Sequence, residues 1–259
     1  MNRILIICAA VTSLLAAGCF ENRQKPADVP TVTSLKELAA TNRAEVVRLI
    51  LRGEKSPVTD ADLAELPKLK MLDLSERGTK DIPAAVFNLK TLEHFYFVRN
   101  GLDKFPDGLQ NLQSLTYLNL DGNLLASLPD AIGALKNLKW LRLNDNRLET
   151  LPAILGELKG MRRFYARNNK LTAVPEVMKE WKLLEDITLD GNKIEDVPQW
   201  LTDFPKLRAV SFNGCQVKKL PDDLSGWRGL DSLSLGNCPI PADEMKRIRA
   251  ALPDVAIMF

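Results

Sequence analysis

One interval governs this chain. Residues 135–157 read LKNLKWLRLNDNRLETLPAILGE, with leucines at Leu135, Leu138, Leu141, Leu143, Leu148, Leu151 and Leu155 and with Asn146 and Pro152 at fixed points between them. The same pattern returns 23 residues to either side. A period of roughly 20–50 residues restricts a chain to a stacked architecture, because one such unit cannot bury its own apolar face and needs a neighbour to cover it.

From Leu66 onward the period runs without insertion or deletion. Coils begin at Leu66, Leu89, Leu112, Leu135, Leu158, Trp181, Phe204 and Trp227, and a degenerate coil begins at Arg43 with Val46, Leu49 and Leu51 in register. The consensus is LxxLxxLxLxxNxLxxLPxxLxx. Its short centre, such as Leu141-Arg142-Leu143, alternates with period two and predicts a strand. Asn100, Asn123, Asn146, Asn169 and Asn192 follow the strand, where the chain bends and leaves backbone groups unpaired. A buried amide offers donors and an acceptor and can satisfy them from coil to coil. Pro83, Pro106, Pro129, Pro152, Pro175, Pro198 and Pro221 stand where a helical turn begins, and a proline there costs no hydrogen bond.

These residues resemble the leucine-rich-repeat family, in its long-period form with a Leu-Pro on the convex side. The resemblance covers residues 43–259 and rests on eight tandem matches. It implies an α/β fold: a curved solenoid with a parallel sheet on the concave face and short helical or 3-10 segments on the convex face. Three positions depart from the pattern. Arg77 stands at the asparagine position of the first full coil, which predicts a looser or water-filled bend. Cys215 and Cys238 stand there in the last two coils. One period apart, they have a spacing compatible with a disulfide; the alternative is two buried thiols in place of asparagine, a substitution the family also shows.

The ends of a solenoid need covers. Residues 34–42 (SLKELAATN) predict an N-terminal helix with a Ser34/Glu37 capping box. Residues 243–251 place acids before bases, which suits a helix dipole, and residues 255–259 predict a last edge strand. The organisation is therefore a cap with the degenerate repeat at 34–65, repeats at 66–240 and a C-terminal cap at 241–259.

The N-terminus has a different character. One basic residue, Arg3, precedes an apolar run over 4–17, followed by Gly18 and Cys19. The run is shorter than the roughly 20 residues that span a bilayer. This is the layout of a secretory signal peptide over residues 1–18. Residues 15–19 (LAAGC) resemble a bacterial lipobox, which implies cleavage before Cys19 and its acylation, with palmitate-type chains anchoring the protein in a membrane. Ala16 stands where the family usually has leucine. Phe20 after the cysteine points, by analogy, to the outer membrane of a Gram-negative envelope. Each buried methylene contributes about 0.8 kcal/mol, so several acyl chains hold where one would not. The polar stretch that follows predicts a tether over 19–33.

Composition removes several functions. There are 35 basic and 33 acidic residues, a formal charge of +2, so recognition by bulk attraction is excluded and nucleic-acid binding is not expected. One histidine and four cysteines without a Cys-x-x-Cys pair supply no zinc set. No phosphate-binding glycine loop or placed nucleophile is present, so neither an enzyme nor a cofactor is expected.

Function is instead read from the side chains that flank each strand's middle leucine and point outward. Aligned coils put His94, Tyr117, Trp140, Arg163, Asp186 and Ala209 in one column, and Tyr96, Asn119, Arg142, Tyr165, Thr188 and Ser211 in the next. Arg99 and Arg167 lie beside them. Aromatic and arginine clusters are the usual composition of binding hot spots. The resemblance implies protein binding through this wall. The expected partner is a protein or peptide, acidic or aromatic-rich, with Asp186 and Asp190 free to pair with a basic group on it. The alternative at residue level is that the rings stack along the sheet and stabilise it. Two other functions stay open: a surface adhesin or glycan-binding protein, and an intracellular signalling scaffold of the Ras-suppressor-like type, which the lipobox disfavours. Phe95, Phe97, Phe164, Phe204, Phe212, Trp181 and Trp227 replace leucines in the register and are expected in the core.

Overall fold

The structure, a computed structural model, describes residues 29–259. The stretch read as a signal peptide, Cys19 and most of the stretch read as a tether lie outside the described residues. Eleven short strands form one parallel sheet in chain order: β1 (Thr31–Val32), β2 (Arg48–Ile50), β3 (Met71–Asp73), β4 (His94–Tyr96), β5 (Tyr117–Asn119), β6 (Trp140–Arg142), β7 (Arg163–Tyr165), β8 (Asp186–Thr188), β9 (Ala209–Ser211), β10 (Ser232–Ser234) and β11 (Ala256–Met258). From β2 to β10 the pairing advances by 23 residues at every step, so the repeat in the sequence is the repeat in space.

Each full coil leaves its strand, bends and returns across the convex side through a 3-10 turn. Five of these turns, at Ala84–Asn88, Asp130–Ala134, Ala153–Glu157, Glu176–Glu180 and Gln199–Asp203, follow the Leu-Pro directly. The proline is the residue before the first turn, with φ between −53° and −74°, which its ring imposes. Its carbonyl accepts the bond that closes that turn, as from Leu155 N–H to Pro152 at 3.1 Å. After Pro106 and Pro221 the turn starts later, at Leu109–Asn111 and Ser225–Trp227.

The core is a single file of leucine layers between sheet and turns. Every aromatic residue expected there is buried; Trp181 and Trp227 also donate their indole N–H to the Leu155 and Leu201 carbonyls at 2.9 and 3.0 Å. The covers sit where the sequence puts them. Helix α1 (Leu35–Ala40) is capped by Ser34, whose hydroxyl accepts from Glu37 N–H at 3.1 Å. Helix α2 (Ala242–Ala251) precedes edge strand β11.

One expectation is corrected. The tether read over 19–33 does not extend to Thr33, because Thr31 and Val32 pair with Arg48 and Leu49. At the Arg77 bend the guanidinium donates to the Leu51 carbonyl at 3.2 Å and the Ser56 carbonyl at 2.6 Å, and a cavity lined by Lys55, Val58, Arg77 and Phe97 lies beside it. Cys215 and Cys238 are free thiols, not a disulfide. They donate to the Leu189 and Phe212 carbonyls at 3.3 and 3.1 Å. In each case the acceptor lies 26 residues back, as it does for Asn146 Nδ2 and the Leu120 carbonyl at 2.9 Å. Guanidinium, amide and thiol thus serve one structural need.

Candidate interaction wall on the concave sheet

Strand alternation turns the middle residue of β4 to β8 into the core and its two neighbours onto the inner wall. Register places His94, Tyr117, Trp140, Arg163 and Asp186 in one column and Tyr96, Asn119, Arg142, Tyr165 and Thr188 in the other, as the coil alignment predicts. All but Asn119 are half-buried.

The rings and arginines stack along the sheet. The His94 and Tyr117 rings are 5.7 Å apart and nearly parallel at 13°. Tyr117 meets Tyr96 at 4.9 Å and Trp140 edge-on at 5.5 Å. Arg163 lies over Trp140, its Cζ 4.5 Å from the ring centre, and Arg142 over Tyr165 at 5.3 Å. Such contacts contribute about 0.5–1.5 kcal/mol each for ring pairs and somewhat less at exposed cation–π sites. The stacking given above as the alternative is therefore present. It also leaves a firm surface with little side-chain entropy to lose on binding.

A second layer fixes the polar members. Arg142 pairs with Asp121 at 2.8 Å, and Asp121 also accepts from Asn144 N–H at 2.8 Å. Burial works against the Arg142 charge, but Asp121 together with Tyr117 and Tyr165 outweighs it and the guanidinium pKa is raised. Tyr165 donates to Asp186 at 2.8 Å. Burial, aided by the neighbouring Asp186 charge, raises the Tyr165 hydroxyl pKa, and burial also raises that of Asp186 against this hydrogen bond. Burial lowers the pKa of His94, so at neutral pH the ring is uncharged.

Not every expected contact residue is available. Asn119 is 8% exposed, accepting from Asp121 N–H at 3.0 Å and donating to the Tyr117 hydroxyl at 3.3 Å. It is a strut of the wall, not a contact. Asp190 is also spent internally: it accepts from Ser211 Oγ at 2.5 Å and from Asn213 N–H at 2.9 Å. Asp186 likewise accepts from Tyr165, so both carboxylates already have a partner within the wall. Arg99 and Arg167 stand exposed at the rim, paired to Glu76 at 3.2 Å and to Asp145 at 3.7 Å. Exposed pairs of this kind hold by about 0–1 kcal/mol, so both remain available.

The sequence reading missed Asp121 and the ladder it belongs to. Ser75, Asp121, Asn144, Asp190 and Asn213 each accept from the backbone N–H exactly one coil later, at 2.7–3.0 Å. The signal was a polar residue two places before the conserved-spacing asparagine position, recurring in five coils. The rim also has a left-handed residue in every coil, glycine in some and Arg99 (φ 49°) or Glu76 (φ 59°) in others. Among the described residues no His, Cys, Asp and Glu group is placed to hold a metal, and no helix is long and apolar enough to cross a membrane.

A parallel sheet of 23-residue coils with 3-10 turns on its outer side is the leucine-rich-repeat fold. Residues 96–220 match a family model described as the leucine-rich-repeat part of leucine-rich repeat and WD repeat-containing protein 1. Among solved structures, the chain is similar to a leucine-rich-repeat protein of Leptospira interrogans (26% identity, 83% of this chain and 64% of that one, TM-score 0.59). It is also similar in fold to an internalin of Listeria monocytogenes (21% identity, 88% and 71%, TM-score 0.67). The chain thus spans under two-thirds of the Leptospira protein. No curated protein matches it in sequence. The family model covers just under half of the chain, and both structures share its leucine-rich-repeat fold, a fold typical of protein-binding modules.

Proposed function

We propose that this chain is a non-catalytic binding module, held in a bacterial envelope by acylation of Cys19, that captures a protein partner on the wall from β4 to β8. The observation that carries the binding half is the unbroken stack from His94 through Tyr117 and Trp140 to Arg163, flanked by Tyr96 and by Arg142 over Tyr165. Aromatic and arginine groups already held in place are what a hot spot consists of. The same stacking disfavours a glycan platform. A sugar ring needs an open aromatic face, and here ring faces are turned to one another or to a guanidinium. The envelope half rests on the signal peptide and the LAAGC stretch at 15–19.

Rim substitutions test the wall without disturbing its stack. Arg99→Glu with Arg167→Glu, compared with wild type in crosslinking pull-downs from envelope fractions, is expected to lose the partner with melting temperature unchanged. Retention of the same partner by the double variant refutes the wall reading, and a hit on a glycan array with no protein captured favours the adhesin. Labelling with a fatty acid tests the anchor: wild type takes the label and Cys19→Ala does not. A labelled Cys19→Ala removes the lipobox argument.

A further inference from the structure

Charge is not spread evenly around the coil. The four residues that lead into each of β3 to β10 carry eleven Lys or Arg and only three carboxylates, Glu93, Glu185 and Asp231. The seven convex segments that start at the Leu-Pro carry eight Asp or Glu and a single cation, Lys179. Because register never slips between β3 and β10, these residues form two parallel stripes, one basic at the strand-entry side and one acidic on the back.

The basic stripe is open to solvent. All eleven cations are exposed except Arg162, which is half-buried. Six pair with carboxylates, four of them on an adjacent coil, as Arg208 with Asp231 at 2.8 Å, and two at the far end of the same coil, as Lys136 with Glu157 at 3.3 Å. Lys90, Lys139, Lys182, Lys206 and Arg228 make no ion pair among the described residues. Eight strands at about 4.8 Å give the stripe a length of roughly 35 Å. Its apolar members, such as Leu92, Leu138 and Leu207, are turned into the core, so what the face offers along the strands is charge; a pocket lies only at its C-terminal end, between Arg228 and residues 250–254.

We propose that this strand-entry face rests on an anionic phospholipid bilayer. A row of exposed cations in one register matches an extended anionic surface, on which each lysine adds attraction independently. Eight of the eleven are lysines, compact point charges without the fork that recognises one phosphate in one geometry. Of the acidic back, Glu157 and Glu180 reach the stripe and pair with Lys136 and Lys159; among the described residues the other six carboxylates make no ion pair with it. The inference goes beyond the wall reading and does not need it. It supplies the second signal that makes lipid anchoring firm.

The test is sedimentation of the full chain with vesicles of phosphatidylcholine alone or with one-third phosphatidylglycerol. The comparison between vesicles cancels whatever the N-terminal apolar run contributes. Wild type is expected to partition at least about tenfold better onto the anionic vesicles, with the difference lost at high salt. Lys90→Glu, Lys139→Glu, Lys206→Glu and Arg228→Glu together remove the preference. A control reversing four exposed lysines beyond the strands (Lys80, Lys104, Lys193 and Lys218, each to Glu) keeps it, at the same change in net charge. Circular dichroism melts verify that both variants fold. Equal partition onto both vesicles overturns the proposal, as does a preference that survives in the first variant. Binding to soluble polyphosphate without any vesicle preference overturns it too, and assigns the stripe to a soluble polyanion.

Discussion

His94 shows how much one side chain on the wall is ruled by its neighbours. Tyr117 stacks on it and burial lowers its pKa, with Glu93 opposing and Arg48 adding to the effect. The unfolded chain therefore takes up this proton at a higher pH than the folded one. Stability is full above the ordinary histidine range near 6.5 and falls as pH drops through it. Denaturant melts at pH 7 and pH 5 are expected to show a smaller loss for His94→Gln than for wild type; equal losses count against the burial argument. Packing sets a harder limit at Gly226. A methyl group there would sit 2.0 Å from the Thr202 carbonyl oxygen, which is backbone and cannot swing aside, whereas one at Gly229 meets nothing within 4 Å. Gly226→Ala is expected to cost about 2–3 kcal/mol and Gly229→Ala almost nothing, read from thermal or denaturant unfolding.

At the scale of the element, the bend after each strand carries the cost of a polar backbone inside a leucine core. Asn146 alone donates to the Leu120, Leu143 and Asn144 carbonyls and accepts from Leu125 N–H at 3.1 Å. Asn146→Ala orphans these groups and is expected to destabilise by about 2–4 kcal/mol, more than Cys215→Ala, whose thiol donates one long bond. The Cys215 thiol pKa, pushed up to about 11 by burial, keeps it unreactive, so slow labelling by a thiol reagent in the folded protein is expected, and fast labelling contradicts its placement. Strands, bends and turns were legible because their signals recur at one spacing, in eight coil starts, five asparagines and seven prolines. What the period could not show is where a polar side chain spends its hydrogen bonds. Asn119 and Asp190 look like contacts in alignment, yet Asn119 bonds within its own coil, to Asp121 N–H and the Tyr117 hydroxyl, and Asp190 to Ser211 and Asn213 of the next coil. Arg77 broke the consensus while meeting the same need by a longer reach. Strand β1 was hidden for a simpler reason: its two residues, Thr31 and Val32, are too few to show any alternation.

At the scale of the whole molecule, each coil touches chiefly its neighbours, so function divides by face and not by segment. The convex turns are acidic, the strand-entry corners basic, and the inner sheet aromatic in its middle coils. Nearest-neighbour stability means that a wall substitution is felt locally and does not unmake the stack. This is why binding and folding can be separated by experiment at the wall, even though its rings support one another. The most direct measurement is photocrosslinking in intact cells with a photoreactive phenylalanine derivative at Trp140, in the centre of the wall, and separately at Ala153, exposed on the convex side. The expected result is a discrete protein adduct from position 140 that Arg99→Glu with Arg167→Glu abolishes, and none from position 153. Adducts of equal yield from both positions, or from the convex one alone, would contradict a partner-binding concave face.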